Sequence, residues 1–466
     1  MKAAGAILLV ACYELGHQPL AVAWPAAFLE RRGYRPAVLD VSVESFDSEK
    51  VRQARLVAIS VPMHTALRLG VAVARRARAL NPTCHIAFYG LYATLNADDL
   101  LRGPGDSVMS GEIESALVRL VERLDGVSDR KGAGQDRGEA GVGPLPVTRA
   151  LEKLDFPVPS RATLPSLKKY AHLERNGGLE LVGYVEASRG CKHVCRHCPI
   201  PPVYGGRFFV VPTAVVLADV RQLVEAGARH ITFGDPDFLN GPGHAFAVAR
   251  ALHAEFPGLT FDVTAKIEHL LRHRDRLAEL GRLGCIFIVS AAESLSDTVL
   301  RHLDKGHTRA DIAEALRAVR AAGIALRPTW VPFTPWTTLD GYRALLEFVE
   351  AESLVDAIDP VQYAIRLLVP PGSLLLESAA MRPFLGELVE DAFYYRWTHP
   401  DPRMDRLADA VAAAVAGAAD RREDASVTFG RVRALAEEAA GATPRATAAL
   451  DPHRARPPRL TEPWFC

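Results

Sequence analysis

Three of the seven cysteines stand within eight residues, Cys191, Cys195 and Cys198, inside the segment RGCKHVCRHCPIPPVYGGRF. The C-x3-C-x2-C spacing puts three thiols on one short loop, where all can address a single centre. Thiolates are soft ligands suited to iron–sulfur clusters. Three of them on a four-iron cluster leave one iron open, which suits chemistry on a bound molecule better than passive bracing. A structural zinc is the alternative reading. It needs a fourth ligand to close its tetrahedron, and His193 or His197 can supply one. Gly205 and Gly206 allow a tight turn beside the loop. Cys12, Cys84 and Cys285 lie on apolar, strand-like segments and are expected in the core.

The elements that must position this loop follow from the apolar pattern. At 466 residues the chain exceeds one ordinary domain. Its 55 basic and 55 acidic side chains balance, which argues against nucleic acid as the main partner. Apolar stretches break well before a membrane-spanning length of about 20 residues. The apolar start MKAAGAILLVACYELG has one lysine and runs into a strand-then-helix pattern, so a buried first strand is expected rather than a signal peptide. A cytoplasmic location is expected, and a disulfide framework is not.

Up to about residue 125, the strands AILLVA, PAVLDVS, RLVAISV, HIAFYG and DSVMSG alternate with amphipathic helices. That alternation predicts a parallel sheet covered on both faces, with ligands at the carboxyl ends of its strands. Residues 127 to 147 are Gly-rich and charged without apolar periodicity, the pattern of a mobile linker. The proline-spaced stretch from Leu154 to Leu167 is expected along the surface of the next domain. From about 181 to 370 the strands LVGYVEAS, HITFGD, TFDVTA, CIFIVSA, ALRPTWVPF and IDPVQYAIRLL alternate mostly with helices. Six such strands predict a barrel or partial barrel whose site lies at the C-terminal rim. The cysteine loop follows the first of them. Beyond about 395 the chain is Ala-rich and helical, and its last 25 or so residues revert to Pro, Arg and Ala.

The cysteine spacing, with His197 before the third thiol, resembles the radical S-adenosylmethionine superfamily. The wider text ASRGC…C…CP…YGGRF resembles its branch with an N-terminal cobalamin-binding domain; the resemblance covers roughly residues 180 to 370. It implies a 4Fe–4S cluster on Cys191, Cys195 and Cys198, whose open iron chelates S-adenosylmethionine. One electron then yields methionine and a 5′-deoxyadenosyl radical. An electron donor such as flavodoxin or ferredoxin is implied with it. In ITFGDPDFLN, Asp235 and Asp237 are candidates for the methionine ammonium, or else helix caps. In VSAAESLSD, which resembles the G-x-E-S segment of the family, Glu293 and Ser294 are candidate S-adenosylmethionine contacts. Lys305 and His307 sit in a family-like segment or only shape a turn. Arg327 is either a partner for the methionine carboxylate or a surface arginine on the rim. Trp330, Trp336 and Tyr363 line a pocket or pack the core.

The first domain resembles the cobalamin-binding domains of that branch at AISVPMHT, FYGLYAT and SGEIESAL. Its small residues Ser60, Gly90 and Gly111 would let a corrin ring or its nucleotide tail come close. Two departures stand out. Tyr89 precedes Gly90 where a second glycine is usual, and the D-x-H-x-x-G signature is missing, with Leu15 and Leu20 flanking His17. His64 lies in one of the candidate loops, where a lone histidine is commonly just solvated.

FTPWTTLDGY, DPVQYAIRLLVPPGS and RLTEPWFC together resemble a group whose tail carries a Cys-Cys or Cys-selenocysteine pair before Ala-Glu-Pro. Cys466 stands where that pair would begin, so an in-frame UGA codon read as a stop is an expectation that downstream DNA would decide.

The organisation expected is therefore a doubly wound, cobalamin-binding-like sheet at 1–125, a linker at 126–180, a (β/α)6 partial TIM barrel at 181–394 and a helical extension with tail at 395–466. The expected function is radical chemistry, either cobalamin-dependent methylation or another radical modification. The alternatives are a radical enzyme whose first domain binds no cobalamin, and a non-catalytic zinc-stapled scaffold.

Overall fold

The computed structural model describes residues 1–126, 147–443, 450–451 and 453–461. The linker reading at 127 to 147 (apart from its final residue) and the tail reading at Cys466 lie outside the described residues.

The opening apolar run is strand β1 (Ile7–Ala11), buried along its whole length. Strands β2 (Ala37–Asp40), β3 (Leu56–Ser60), β4 (His85–Tyr89) and β5 (Ser107–Gly111) join it in parallel, in the order β2-β1-β3-β4-β5. A sixth strand, β6 (Thr148–Ala150), adds beside β5, also parallel. The helices are α1 (Leu20–Glu30), α2 (Ser48–Gln53), α3 (His64–Leu80), α4 (Leu91–Leu95), α5 (Ala97–Arg102) and α6 (Glu114–Leu124). Alternate side chains of each buried strand enter opposite cores, as the strand period of two requires. Leu8, Val10, Val57 and Ile59 face one; Ile7, Leu9, Leu56 and Ala58 face the other.

The second sheet runs β14-β13-β12-β11-β8-β7-β17. Five strands are parallel: β8 (Gly178–Val185), β11 (His230–Phe233), β12 (Thr260–Thr264), β13 (Cys285–Glu293) and β14 (Ala325–Trp330). The antiparallel edge is β7 (His172–Arg175) and β17 (Arg459–Leu460). The short β9 (Ser188–Gly190) and β10 (Phe208–Val210) form a separate antiparallel pair. Helices α7 (Ile200–Tyr204), α8 (Thr213–Glu225), α9 (Pro242–Glu255), α10 (Ile267–Arg272), α11 (Leu277–Arg282), α12 (Asp297–Leu303), α13 (Arg309–Ala321) and α14 (Leu339–Ala351) follow in turn. The sheet is thus a curled partial barrel. The sixth strand read from IDPVQYAIRLL does not form. Pro360 opens a 3-10 turn over Pro360–Tyr363, and only one bridge, Phe333 to Arg366, continues the parallel alignment. A proline lacks the N–H that a ladder uses.

A hairpin of β15 (Leu385–Val389) and β16 (Tyr394–Trp397) precedes α15 (Pro402–Asp420) and α16 (Ala425–Ala439). These last helices bury Leu407, Val411, Phe429 and Val432 in the barrel's own core. Trp330 and Tyr363 are interior packing in that core, while Trp336 is partly buried and donates to the Ala380 carbonyl. Cys12, Cys84 and Cys285 are buried, as expected.

The two sheets dock through the proline-spaced stretch. Leu154 and Phe156 share a core with Leu20, Ala23 and Trp24 of α1 and with Val216 and Val220 of α8. Arg161 sits at the centre of this seam. It makes two bonds to Asp219, at 2.5 and 2.8 Å, one to Gln18 Oε1 at 2.6 Å and one to the Tyr184 carbonyl at 2.7 Å. No described helix is long and apolar enough to cross a membrane.

Candidate functional site

The cysteine loop is the tip of the β9–β10 hairpin. Gly190, immediately before Cys191, has φ +75, and an added Cβ would lie 2.5 Å from the Arg207 carbonyl oxygen and 2.6 Å from the Tyr204 ring. A side chain there would push the loop off its own return strand. Behind the loop, Gly205 caps α7 in the left-handed conformation, so the turn expected at Gly205-Gly206 is present.

Cys191 and Cys195 are approached by different elements. Cys191 Sγ lies 3.8 Å from Asn240 Oδ1, which also accepts from the Lys192 amide at 3.3 Å. Lys266 Nζ, at the end of β12, lies 3.9 Å from Cys195 Sγ. The Arg196 amide donates to the Leu303 carbonyl at 3.0 Å. Burial raises the Cys191 thiol and pushes Cys198 up to about 12. Those protons must leave before a metal binds, and a cation's own charge drives them off.

Two buried ammonium groups face the loop. Burial works against the charge on Lys305, yet Glu293 and the neighbouring Cys195 hold its pKa up. Lys305 bonds Glu293 Oε1 at 3.1 Å. His197 Nε2 meets the same oxygen, also at 3.1 Å. Burial opposes the Glu293 charge, but Lys305 and then His197 hold its carboxyl far below the usual range. Glu293 itself has φ +64, a conformation costly for any residue that carries a Cβ and held here by this trio. Cations beside three thiols fit an anionic sulfur-ligated group.

The zinc alternative can be tested on these distances. A tetrahedral zinc with Zn–S of about 2.3 Å brings its sulfurs to about 3.8 Å from one another. Among the described residues, the one set of three His, Cys, Asp or Glu ligand atoms within 4.8 Å of one another is His193, Asp237 and His269, not the thiols. Both loop histidines are also turned elsewhere, His197 to Glu293 and His193 to His269. Sulfurs set wider than one ion can hold suit a multi-iron centre.

The other predicted residues divide between two cavities. Ser60, Gly90 and Gly111, at the carboxyl ends of β3, β4 and β5, all line a cleft of about 270 Å³ between the sheets. Its far wall is Tyr184, Glu186, Ser188, Arg189, Gly234 and Pro236. Gly111 has a second reason to be glycine: a Cβ would lie 1.9 Å from the Ala150 carbonyl of β6. Glu14 Oε1 and Glu114 Oε2 belong to cleft residues and lack hydrogen-bond partners among the described residues. Burial, then Glu186 and Asp40, push Glu14 up to about 8. Tyr89 donates to the Ala21 carbonyl at 2.7 Å and occupies part of the cleft. The backbone edge and the unpartnered polar atoms fit a large polar cofactor. The volume lies just below the usual range for such sites, about 300–1,000 Å³, and Tyr89 takes up part of it.

Asp235 accepts from the Ala187 amide at 2.9 Å and from Ser188 Oγ at 2.5 Å, bracing the strand that leads into the cysteine loop. Asp237 Oδ1 accepts from the Leu239 amide at 3.2 Å, an N-cap bond. Ser294 Oγ accepts from the Ser296 amide at 3.1 Å. Arg327 is buried and pairs with Asp359 at 3.0 Å. It lines a second cavity, of about 260 Å³, with Asp235, Tyr184, His17 and Asp262. His17 stacks on Tyr184, with ring centroids 4.5 Å apart. His64 begins α3 and meets the Ala392 carbonyl at 2.7 Å.

Sequence reasoning missed Arg189, Glu112, Lys266, Asn240 and His269. Arg189 joins the domains by ion pairs to Glu114 at 2.7 Å, Glu112 at 3.5 Å and Glu186 at 2.8 Å. Lys266 and His269 directly follow a barrel strand, a position where site residues gather; that signal was available.

Residues 185–332 match the family described as the radical SAM superfamily, and residues 6–121 match the B12 binding domain. The chain is 25% identical over 330 residues to the hopanoid C-3 methylase of Methylococcus capsulatus, covering 68% of this chain and 62% of that enzyme. It therefore spans under two thirds of that relative's length. In fold it is similar to the cobalamin-dependent S-adenosylmethionine radical enzyme OxsB with aqua-cobalamin bound, with TM-score 0.65, 14% identity, and 87% of this chain and 66% of that one covered. It is also similar to the radical S-adenosylmethionine methyltransferase TsrM of Kitasatospora setae, with TM-score 0.54, 18% identity, and coverage of 74% and 71%.

Proposed function

We propose that this radical S-adenosylmethionine enzyme, whose barrel follows an N-terminal cobalamin-binding-like domain, methylates an unactivated carbon of its substrate in a cobalamin-dependent reaction. The observation that carries the reading is the shared cleft. The strand ends bearing Ser60, Gly90 and Gly111 and the strand leading into the cysteine loop form its two walls.

In this reading Cys191, Cys195 and Cys198 hold a 4Fe–4S cluster. When bound, the cluster supplies the electron that cleaves S-adenosylmethionine to methionine and a 5′-deoxyadenosyl radical, and methylcobalamin supplies the methyl group. The protein contributes position, charge and exclusion of water. Lys266 and Lys305 offset the negative charge gathered at the thiolates. Asp235 fixes Ala187 and Ser188, and so the direction in which the loop leaves the barrel. Arg189 ties that strand to Glu112 and Glu114, holding the two walls at a set separation. Glu14 is largely protonated at neutral pH, which keeps a second negative charge out of the cleft. Asp237, Glu293 and Ser294 act through the loop and its support, and Arg327 faces the inner cavity where the methionine end can lie. The electron comes from a donor of the flavodoxin or ferredoxin type in the cytoplasm.

A second reading, radical chemistry without cobalamin, is favoured by one observation: Tyr89 fills part of the groove that the usual glycine pair leaves open. Anaerobic reconstitution with iron, sulfide, hydroxocobalamin and S-adenosylmethionine tests both. Broad iron–sulfur absorbance and 5′-deoxyadenosine formation, both lost when the three cysteines become alanine, are expected. Zinc held by sulfur with no S-adenosylmethionine cleavage would overturn the reading. Failure to retain hydroxocobalamin would select the second.

A further inference from the structure

His193, Asp237 and His269 are used by neither cavity. They come from three separate elements: the cysteine loop, the turn after β11, and α10. Asp237 is fully buried and His269 nearly so. The Asp237 Oδ1 oxygen is occupied by the Leu239 amide, which leaves Oδ2 for something else. That oxygen lies 2.6 Å from His269 Nδ1. Yet neither atom has a hydrogen-bond partner, because their alignment does not suit a hydrogen bond. Two buried donor atoms side by side but misaligned for sharing a proton are suited to sharing a cation.

The remaining distances agree. His193 Nε2 is 3.3 Å from His269 Nε2 and 4.0 Å from Asp237 Oδ2. One ligand atom from each of the three residues lies within 4.8 Å of the other two, against about 3.3 Å between ligand atoms about 2.0–2.1 Å from a tetrahedral zinc. On the other side of its ring, His193 Nδ1 lies 3.8 Å from Glu268 Oε2, longer than the hydrogen bond by which a carboxylate orients a metal-bound imidazole. Lys266 is the nearby cation that opposes the site, but it is engaged between Glu268 Oε2 at 3.7 Å and Cys195.

We propose that His193, Asp237 and His269 form a second metal site, taking one divalent transition-metal ion of the zinc class and leaving a fourth position open. The site is distinct from the thiols and does not rest on their assignment. The ion fastens the middle of the cysteine loop to the barrel at two points, so its loss frees the loop that carries all three cysteines.

The test uses the full chain, anaerobically reconstituted, with zinc as the probe. One equivalent of zinc is expected in addition to the iron, with a zinc-edge X-ray absorption spectrum showing nitrogen and oxygen neighbours and no sulfur. His269→Ala and Asp237→Asn are each expected to weaken zinc at least about tenfold. The Cys191→Ala/Cys195→Ala/Cys198→Ala variant is expected to keep it. Sulfur in the zinc shell, or zinc lost with the cysteines and retained without His269, would overturn the proposal. So would failure of the intact protein to take up zinc. The absorption measurement needs no variant, so misfolding of a mutant leaves the answer intact.

Discussion

Replacing Arg161 with methionine removes the fastener of the seam between the two domains. Both Arg161 and Asp219 are buried, with side-chain exposures of 6% and 3%. Asp219 would keep its charge with nothing opposite it, and breaking such a pair from one side costs about 3–5 kcal/mol. Gln18 Oε1 and the Tyr184 carbonyl would also lose a donor. Since these losses share one guanidinium they do not add, and we take the same 3–5 kcal/mol for the whole. Because the chain has several cores, a single global unfolding energy is the wrong readout. Hydrogen exchange of the segment from Phe156 to Tyr170 reads the seam directly. Its protection should fall by about two to nearly four orders of magnitude, at 1.36 kcal/mol for each factor of ten. Adding Asp219→Leu should restore most of it, because an apolar pair of similar size loses no buried charge. A fall of less than about tenfold, or no recovery in the double variant, would refute the reasoning.

Gly190→Ala should lower the iron held per chain several-fold while leaving the barrel's circular dichroism unchanged, since the new Cβ meets the Arg207 carbonyl at 2.5 Å; unchanged iron would count against it. Lys305→Met leaves Glu293 with His197 alone and should lower the hydrogen-exchange protection of β13 and α12 by about two to nearly four orders of magnitude, for a cost of about 3–5 kcal/mol, with Glu293→Gln restoring part of the loss. Glu14 binds its proton up to about pH 8 when folded but only to about 4.5 when unfolded. The folded state thus holds more protons between those values, and stability falls as pH rises through that window, by at most about 1.4 kcal/mol per unit. Glu14→Gln should flatten that slope in the opening free energy of α1, read by hydrogen exchange from pH 5 to 8; an unaltered slope would assign it to another group.

The strands of the first domain were legible because each is a buried apolar run bounded by turns, and all five formed where the alternation put them. The same signal failed at IDPVQYAIRLL, where Pro360 outweighs an apolar pattern that otherwise reads as a strand. β6 escaped notice because three residues, Thr148–Ala150, carry too little pattern to show a period. The cysteine trio stood out by spacing alone, and the small residues Ser60, Gly90 and Gly111 do meet at one cleft. The charged support around them was not readable. Arg161, Arg189 and Lys266 look in sequence like any surface cation, and only the docking of separate elements shows that each is buried against carboxylates or thiols. His193 and His269, 76 residues apart, could be paired only once the barrel had closed.

The return of the chain to β7 carries a consequence for assembly. Arg459 and Leu460 lie against Glu174 and Leu173, with Arg459 paired to Glu174 at 2.7 Å. Without them, β7 would present an open row of amide and carbonyl groups, the kind of template on which a second molecule's strand can lay itself. A version shortened ahead of Arg459 should therefore stay folded inside yet grow sticky along that one flank, self-associating as its concentration rises.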